Sequence, residues 1–297
     1  MNKSLLLFAV FATISSGSVL ASPNICTNCP VLNKVKDITN YAPGTYYADS
    51  QAAYGGDLAT FRKAIISDIS KGQKQLSYGE VWTALTHTDE DPQNSDNVIL
   101  LYKGNSIPKN HNGSGAASAN QDYWNREHTW PKSHGFPKKS QQGYTDIHHL
   151  RPADISMNSA RGNKDFHNGG TPVPEDNRNL STKYTWEPRD EVKGDIARMM
   201  FYMDVRYDEN TGINMPNLVL VDAINTNPTS GKNLPKLGKL CTLIEWHFQD
   251  PVNDFERARN NTIYEYQGNR NPFIDNPEWV DTIYKGRCNE SKVPDQT

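Results

Sequence analysis

The segment from Trp124 to Phe166 constrains the fold most strongly, because it places two extended stretches and one helix in a fixed order. Its first part, WNREHTWP, contains aromatic and β-branched residues and predicts a strand that ends at Pro131. Residues 146–150, DIHHL, predict a second extended piece, and Pro152 then introduces a helix. The predicted order is therefore strand, loop, strand and helix.

The predicted helix begins near Asp154, a residue type that accepts hydrogen bonds from the first free amides of a helix, and it stops at Gly162. Asn158 and Arg161 are three residues apart on this helix and share a face. Polar side chains should therefore project both from the first strand and from the helix.

Four polar side chains crowd the end of the first strand: Arg126, Glu127, His128 and Lys132. A buried strand end can carry one such group without a ligand, whereas four together indicate a binding partner. Six of the eight histidines also lie between residues 110 and 168. A solvated charged loop does not explain these histidines.

The first 21 residues predict a cleaved secretory signal peptide. Lys3 precedes an apolar run that is too short to span a bilayer comfortably, and small residues follow, with Val19 and Ala21 at the positions that signal peptidase reads. A buried N-terminal helix or an uncleaved anchor is the alternative. Because no later stretch is long and apolar enough to cross a membrane, we expect a secreted or periplasmic protein.

All four cysteines lie beyond the predicted cleavage site, in a compartment that permits disulfides. Four cysteines allow three connectivities, of which we favour Cys26–Cys29 together with Cys241–Cys288. A zinc knuckle at the first pair would need a second pair of ligands with tight spacing, and the sequence contains none. A redox role would need a βαβ context, whereas this pair lies in a segment rich in proline and asparagine.

The charge balance argues mildly against a protein that coats nucleic acid passively. The chain has 31 basic and 34 acidic residues, a net charge of −3, and the loss of Lys3 with the signal peptide gives 30 − 34 = −4. A local basic cleft is compatible with this balance. Basic residues do cluster beside the histidines: Lys132, Lys138, Lys139, Arg151, Arg161 and Lys164.

The remainder of the chain is predominantly helical. Apolar residues recur at helical spacing in GDLATFRKAIISDISKG and in SYGEVWTALTH, where Ser77 and Glu80 have capping-box spacing, whereas residues 97–102, NVILLY, predict a strand. Further helices are predicted in VKGDIARMMFYMDVRY, LCTLIEWHF, DFERARNNTIYEY and PEWVDTIY. Since the chain has no repeat or long linker, residues 22–297 should form one domain of the α+β class, mainly α.

Four blocks of the sequence together resemble the secreted bacterial endonuclease I family: NVILLYKGNSIPK, WNREHTWPKSHGF, TDIHHLRPADISMNSARGNKDF and QGNRNPFID. The resemblance covers most of the chain, from about Tyr78 to Trp279. Members of this family are nonspecific nucleases with a ββα-metal, or His-Me finger, site. The resemblance therefore implies such a core at residues 124–166, embedded in a single helical domain.

The resemblance also implies roles for individual residues: His128 as the general base, Glu127 and Asn158 as ligands of one divalent metal ion, and Arg161 as a phosphate contact. An imidazole, with an ordinary pKa of about 6.5, can accept a proton from water near neutral pH. A hard ion such as Mg²⁺, or alternatively Ca²⁺ or Mn²⁺, takes oxygen ligands and keeps several waters. Neighbouring strand residues point to opposite faces, so using both Glu127 and His128 requires a twist or bulge near Pro131.

Residues around this core receive supporting roles. We expect Arg126, Lys132 and Arg270 to bind substrate, and Asp146 and His148 to orient the strands or a metal-bound water. Purely structural ion pairs are the alternative for three charged residues: Glu127 with Arg126, Arg161 with Asp154 or Asp165, and Arg270 with Asp275.

The sequence as a whole predicts a secreted, metal-dependent, nonspecific endonuclease that cleaves DNA, RNA or both, leaves 5′-phosphate ends and is a monomer. The family often has an acidic residue where Tyr144 stands and an asparagine where His149 stands, so no role is transferred to these two positions. One alternative is a secreted zinc hydrolase that uses His128, His148 and His149 as three converging nitrogen ligands. Another is a non-catalytic module that binds nucleic acid or a surface.

Overall fold

The computed structural model describes residues 26–113, 123–226, 234–284 and 286–288, so the predicted signal peptide at residues 1–21 lies outside the described residues. Ten α-helices occur in the described part of the chain: α1 (Pro43–Tyr46), α2 (Ala48–Ala53), α3 (Leu58–Ser70), α4 (Tyr78–Thr88), α5 (Ile155–Arg161), α6 (Lys193–Arg206), α7 (Leu240–Gln249), α8 (Asp254–Gln267), α9 (Pro272–Asp275) and α10 (Trp279–Tyr284). Eleven strands accompany them in the same residues: β1 (Glu90–Asp91), β2 (Asn94–Ile99), β3 (Ser106–Pro108), β4 (Trp124–His128), β5 (Leu150–Asp154), β6 (Asp165–Phe166), β7 (Thr171–Val173), β8 (Asp176–Ser181), β9 (Thr185–Glu187), β10 (Val219–Leu220) and β11 (Lys236–Leu237). Helix outweighs strand in these residues, and the mixture of the two is compatible with the predicted α+β class.

The described strands form several small sheets instead of one large one. β4 and β5 pair antiparallel, with Trp124 opposite Asp154 and His128 opposite Leu150. The other sheets have the strand orders β6-β9-β8-β7, β1-β2-β3 and β10-β11. Helix α5 packs against both strands of the β4–β5 pair, and α4 packs against β5.

Helix α6 forms the centre of the main core, where every one of its 14 residues is buried. It packs against α3, α7 and α9, and its methionines fill this core. A second apolar cluster includes Val81 of α4, Trp124 of β4 and Ile263 of α8. Leu150 belongs to this second cluster and Ala153 to the first, so β5 is packed between the two.

The helix boundaries follow the capping residues that the sequence predicts. The Ser77 hydroxyl and the Glu80 carboxylate form a capping box at the start of α4. At the start of α5 the carboxylate of Asp154 accepts hydrogen bonds from two amides of the first turn. α5 ends at Gly162, whose φ of 59° lies in the left-handed region that favours glycine.

The second strand of the central segment lies later in the chain than the sequence predicts. Residues 146–149 form turns and Leu150–Asp154 form β5, so Pro152 lies within the strand and does not introduce the helix. The carbonyl oxygen of Pro152 accepts a hydrogen bond from the Leu101 amide. The nitrogen of Pro152 therefore points away from β4, and its missing hydrogen costs no ladder bond.

Two disulfides link Cys26 to Cys29 and Cys241 to Cys288, which confirms the favoured connectivity. The second disulfide joins residues 47 positions apart and ties α7 to the chain just beyond α10. Among the helices of the described residues, none has the length and apolar character needed to cross a membrane.

Candidate active site

An open cleft of about 240 Å³ lies between β4, the loop after it and α5. It brings together five of the predicted site residues, from β4, the loop after it and the first turn of α5: Arg126, Glu127, His128, Lys132 and Asn158. The other described residues that line it are Tyr78, Asn125, Pro131, Gly162 and Asn163. The fold thus places the candidate base in the same cleft as both candidate metal ligands.

Glu127 and His128 are neighbours in sequence, and both line this cleft. The register of β4 against β5 is unbroken as far as His128, where the strand ends. Beyond it, the amide and the hydroxyl of Thr129 both donate to the carbonyl oxygen of His149, at 3.1 and 2.7 Å. β4 therefore contains no bulge. Both side chains reach the cleft at the point where the strand ends.

The Glu127 carboxylate is held by two side-chain donors and is only 2 % exposed. Its Oε1 accepts hydrogen bonds from the Tyr102 hydroxyl at 2.7 Å and from Nη1 of Arg161 at 3.0 Å. Burial raises the pKa of this carboxyl above its ordinary value, and the charge of Arg161 offsets part of that rise. A further cation in the cleft would therefore stabilise the ionised carboxylate.

Arg161 is fully buried and connects the end of α5 to the end of β4. Besides Glu127, its guanidinium donates to the carbonyl oxygens of His128 at 3.0 Å and Thr129 at 2.6 Å. Arg161 therefore forms its ion pair with Glu127. The pairing with Asp154 or Asp165, which the sequence left open as an alternative, is wrong. Nη1 and Nη2 of Arg161 are thus engaged within the fold, and Nε is buried without a hydrogen-bond partner.

His128 is oriented by a backbone carbonyl. Its Nε2 lies 3.0 Å from the carbonyl oxygen of Tyr144. Because a carbonyl oxygen only accepts, Nε2 must carry the hydrogen, and the lone pair of the neutral ring lies on Nδ1. Burial, followed by the neighbouring His149, lowers the pKa of His128 well below 6.5. The imidazole is therefore neutral at neutral pH and can accept a proton.

Asn158 offers an oxygen to the same cleft. Its Nδ2 donates to Oδ1 of Asn125 at 2.6 Å, which leaves the amide oxygen of Asn158 for another partner. One carboxylate and one amide oxygen fit Mg²⁺, Ca²⁺ or Mn²⁺, which prefer oxygen ligands and retain waters. Among the described residues, no three or more His, Cys, Asp or Glu side chains gather as a metal site.

The three-histidine zinc site lacks converging ligands. Nε2 of His148 lies 3.3 Å from the carbonyl oxygen of Asn269, and Nε2 of His149 lies 2.7 Å from that of Gly143. Both rings are fully buried, and burial lowers the pKa of each to about 4. These histidines therefore pack within the fold, and the donor set of the cleft does not suit Zn²⁺.

Two basic side chains at the cleft are free of carboxylate partners within the described chain. The guanidinium carbon of Arg126 lies 3.4 Å from the ring centre of Tyr78 and 4.0 Å from that of Trp82. Nζ of Lys132 donates to the Tyr144 hydroxyl at 3.1 Å. Since neither charge is neutralised by an ion pair, both remain available to phosphate groups.

Besides Arg161, three predicted site residues lie outside the residues that line the cleft. Arg270 is 3 % exposed and forms a bidentate pair with Asp275 at 2.6 and 2.7 Å, the structural alternative that the sequence left open. Asp146 accepts from the hydroxyls of Tyr202 and Tyr207 in the core. His148 packs against the Tyr202 ring. Each of these residues stabilises a buried network.

The sequence reasoning missed three contributors to the site: Tyr102, Asn125 and the carbonyl group of Tyr144. Tyr102 stands at the end of the apolar run NVILLY, and a buried hydroxyl needs a hydrogen-bond partner. That requirement was a usable signal for a polar contact, although it could not identify Glu127. The contributions of Asn125 and Tyr144 depend on tertiary contacts and leave no pattern in the sequence.

Comparison with known proteins shows to which family the chain belongs. The model of the endonuclease I family matches residues 58–278. An extracellular ribonuclease of Bacillus subtilis (strain 168) is 51% identical over 247 residues, which cover 82% of each chain. An extracellular ribonuclease of Bacillus amyloliquefaciens is 49% identical over 241 residues, covering 81% of this chain and 78% of the relative. The chain therefore belongs to the endonuclease I family and is a nuclease.

Proposed function

We propose that this protein is a secreted, metal-dependent endonuclease that hydrolyses phosphodiester bonds in RNA and also in DNA, with little regard to sequence. The observation that carries the proposal is the cleft shared by His128, Glu127 and Asn158. The two relatives support secretion and activity on RNA, since both are extracellular ribonucleases by name. As the family resemblance implies, the products would carry 5′-phosphate ends.

The unit of β4, β5 and α5 would serve as a ββα-metal core. An antiparallel pair runs directly into a helix, with the candidate base at the end of the first strand and an amide ligand in the first turn of the helix. Arg161 fastens the helix to that strand end. This arrangement would keep the ligands from the two elements at a constant separation.

Glu127 and Asn158 would hold one divalent cation, with Mg²⁺ as the first candidate and Ca²⁺ or Mn²⁺ as alternatives. When bound, the cation supplies positive charge against the negative charge that builds on the phosphate. Tyr102 and Arg161 would position Glu127 through their hydrogen bonds to Oε1. In this proposal Arg161 acts as a positioning residue and does not contact phosphate.

His128 would remove the proton from the water that attacks phosphorus, the P–O3′ bond would break, and the departing O3′ would take up a proton from solvent. Nδ1 would accept this proton, because Nε2 already donates to the Tyr144 carbonyl oxygen. That same carbonyl would stabilise the imidazolium after proton transfer. Arg126 and Lys132 would bind phosphates beside the scissile bond, and contacts to phosphate carry no sequence information.

The decisive test replaces His128 with alanine. We expect His128→Ala to lower the cleavage rate of RNA and of plasmid DNA in Mg²⁺ by about 100-fold or more, because the attacking water loses its base. Gel assays measure cleavage, and circular dichroism with thermal melting verifies the fold. End-group analysis of the wild-type products checks the 5′-phosphates.

His87→Ala is the matched control, since His87 is a partly buried histidine that stacks on Tyr266 and does not line the cleft. This variant should retain wild-type cleavage. Full cleavage by a folded His128→Ala protein would contradict the assignment of the base. Undiminished cleavage by the wild type after exhaustive chelation would contradict the proposed dependence on a metal ion.

A further inference from the structure

A second opening of about 300 Å³ adjoins the candidate active site. Gly162 and Asn163 line both cavities, so these two residues form the rim between them. The second opening extends from this rim past Lys164 to Lys183 and Tyr184 on the turn before β9. A chain that leaves the cleft in this direction would pass directly into the second opening.

The rim between the two cavities carries little side-chain bulk, because α5 is followed there by a glycine. The helix stops at Gly162, which has no side chain and adopts a φ of 59°. Both Gly162 and Asn163 are exposed. An extended polymer can therefore cross from one cavity to the other without meeting a large side chain.

The second opening is positively charged. None of the described residues that line it is acidic. Nζ of Lys164 donates to the carbonyl oxygen of Ala160 at 2.6 Å and to the Ser181 hydroxyl at 2.8 Å, and Lys183 is exposed. Within the described chain, neither lysine forms an ion pair with a carboxylate. Seven of the 13 other lysines in those residues do, including Lys63, Lys71, Lys103 and Lys193.

An aromatic ring accompanies these charges. Tyr184 is partly exposed, and Nζ of Lys183 lies 5.1 Å from the centre of its ring. Unpaired cations beside an accessible aromatic ring are the combination that proteins use to bind single-stranded nucleic acid, since the cations take phosphates and the ring stacks on a base.

We propose that this second opening is a subsite for the nucleic-acid strand that flanks the scissile bond. Lys164 and Lys183 would bind a neighbouring phosphate, and Tyr184 would stack on the base of an unpaired nucleotide. This inference rests on the proposed function of the adjoining cleft. It assigns the subsite to single-stranded substrate, because a base in a duplex does not present a free face to Tyr184.

The test compares short and long oligoribonucleotides, of about 4 and about 16 nucleotides, as substrates of the full mature chain in Mg²⁺. For the wild type, kcat/KM should be higher on the long RNA. In the double variant Lys183→Gln/Tyr184→Leu, the ratio of kcat/KM on long to short RNA should fall by about tenfold. Lys183 is exposed, so Lys183→Glu should not disturb the fold. Because it introduces a negative charge, this variant should lower the ratio further than Lys183→Gln.

The control is Lys63→Gln, at an exposed lysine that lines neither cavity. An unchanged ratio in the double variant, or an equal fall in the control, would overturn the subsite. If the wild type cuts no RNA, the proposed function fails. Fluorescence anisotropy with the labelled long RNA then still decides the inference, since unaltered affinity in the double variant refutes it and about tenfold weaker affinity supports it.

Discussion

Glu127 is a buried carboxylate whose position depends on two neighbours. Tyr102 and Arg161 both donate to the same oxygen, and the burial that raises the pKa of Glu127 makes its ionised form dependent on such donors. Removal of either donor should therefore affect the stability of the fold and the affinity of the cleft for a cation together.

Tyr102→Phe tests this dependence at the level of one hydroxyl. The variant leaves a buried carboxylate oxygen short of a donor, so we expect the free energy of unfolding to fall by about 1 to 2 kcal/mol. Because the carboxylate is then less well oriented, the Mg²⁺ concentration for half-maximal cleavage should rise by about tenfold. Urea unfolding and a metal titration of activity measure the two effects.

Tyr47→Phe is a matched control for Tyr102→Phe. The Tyr47 hydroxyl donates to Oδ2 of Asp275 at 2.7 Å, and the ring is likewise buried, but neither residue lines the cleft. This control should lose similar stability while its Mg²⁺ titration stays at the wild-type value. Identical metal dependence in both variants would contradict the role of Tyr102.

Individual residues could be predicted from the sequence where the motif itself specifies them. Glu127, His128 and Asn158 do line one cleft, because their spacing is fixed by a strand end and a helix turn. The partners of Arg161 and Arg270 could not be predicted. A long guanidinium side chain reaches several carboxylates, and tertiary packing decides which of them it meets.

At the scale of elements, α5 is only 7 residues long and needs its cap. Helices this short are marginal on their own, so the hydrogen bonds at their ends weigh heavily. Oδ1 of Asp154 accepts from the amides of Ser156 at 2.9 Å and Met157 at 3.2 Å. The same helix carries Asn158, so loss of the cap should reach the candidate active site.

Asp154→Ala should lower the free energy of unfolding by about 1 to 2 kcal/mol, because the first turn of α5 loses its acceptor. It should also lower kcat, because Asn158 is then held less firmly. The control Asp57→Ala removes a similar cap, whose carboxylate accepts from the Thr60 amide at the start of α3. Thermal melting and steady-state cleavage should show lost stability in both variants and lost kcat in Asp154→Ala alone. An equal loss of kcat in both would refute the link.

The sequence predicts the ends of the helices more accurately than the start of β5. Capping residues such as Ser77 and Asp154 act over three or four positions, so the sequence alone identifies them. The start of β5 depends instead on which residues face β4. Pro152 is tolerated there because its nitrogen points away from the ladder, a fact that only the pairing of the strands reveals.

At the scale of the whole molecule, the two disulfides should contribute unequally to stability. Cross-linking removes more conformational entropy from the unfolded chain when the closed loop is longer. Replacing Cys241 and Cys288, which are 47 positions apart, with serine should cost about 4 kcal/mol. Replacing Cys26 and Cys29, which are 3 apart, should cost about 2 kcal/mol. Denaturant unfolding of the two double variants measures both, and an inverted order would contradict the prediction.

Four buried histidines besides His128 should make the fold sensitive to mild acid. Burial lowers the pKa of each to about 4: His134, His148, His149 and His247. Between pH 6.5 and 4 the unfolded chain binds protons that the folded chain does not, so stability is lost as pH falls through this window. Burial raises the pKa of Glu256 to about 8 and also raises those of Glu127, Asp165 and Asp250, and these carboxyls offset part of the loss.

We therefore expect the free energy of unfolding to fall by roughly 3 to 6 kcal/mol between pH 7 and pH 4.5. Urea unfolding at several pH values, with circular dichroism as the readout, measures this change. Substitution of His247 by asparagine should reduce the slope, because one proton-binding site of the unfolded chain is removed. A flat profile over this range would contradict the assignment of these histidines as buried and neutral.

The contacts of the Arg161 guanidinium affect how the enzyme loses activity on heating. The buried guanidinium donates to the Glu127 carboxylate and to the carbonyl oxygens of His128 and Thr129. Separation of α5 from β4 would therefore leave the buried Glu127 carboxylate without its ion-pair partner, which is costly. We therefore expect β4, β5 and α5 not to melt separately from the rest of the chain. Thermal inactivation should then coincide with the cooperative collapse of the entire chain, and a cooled sample that refolds should recover its activity in step with its secondary structure.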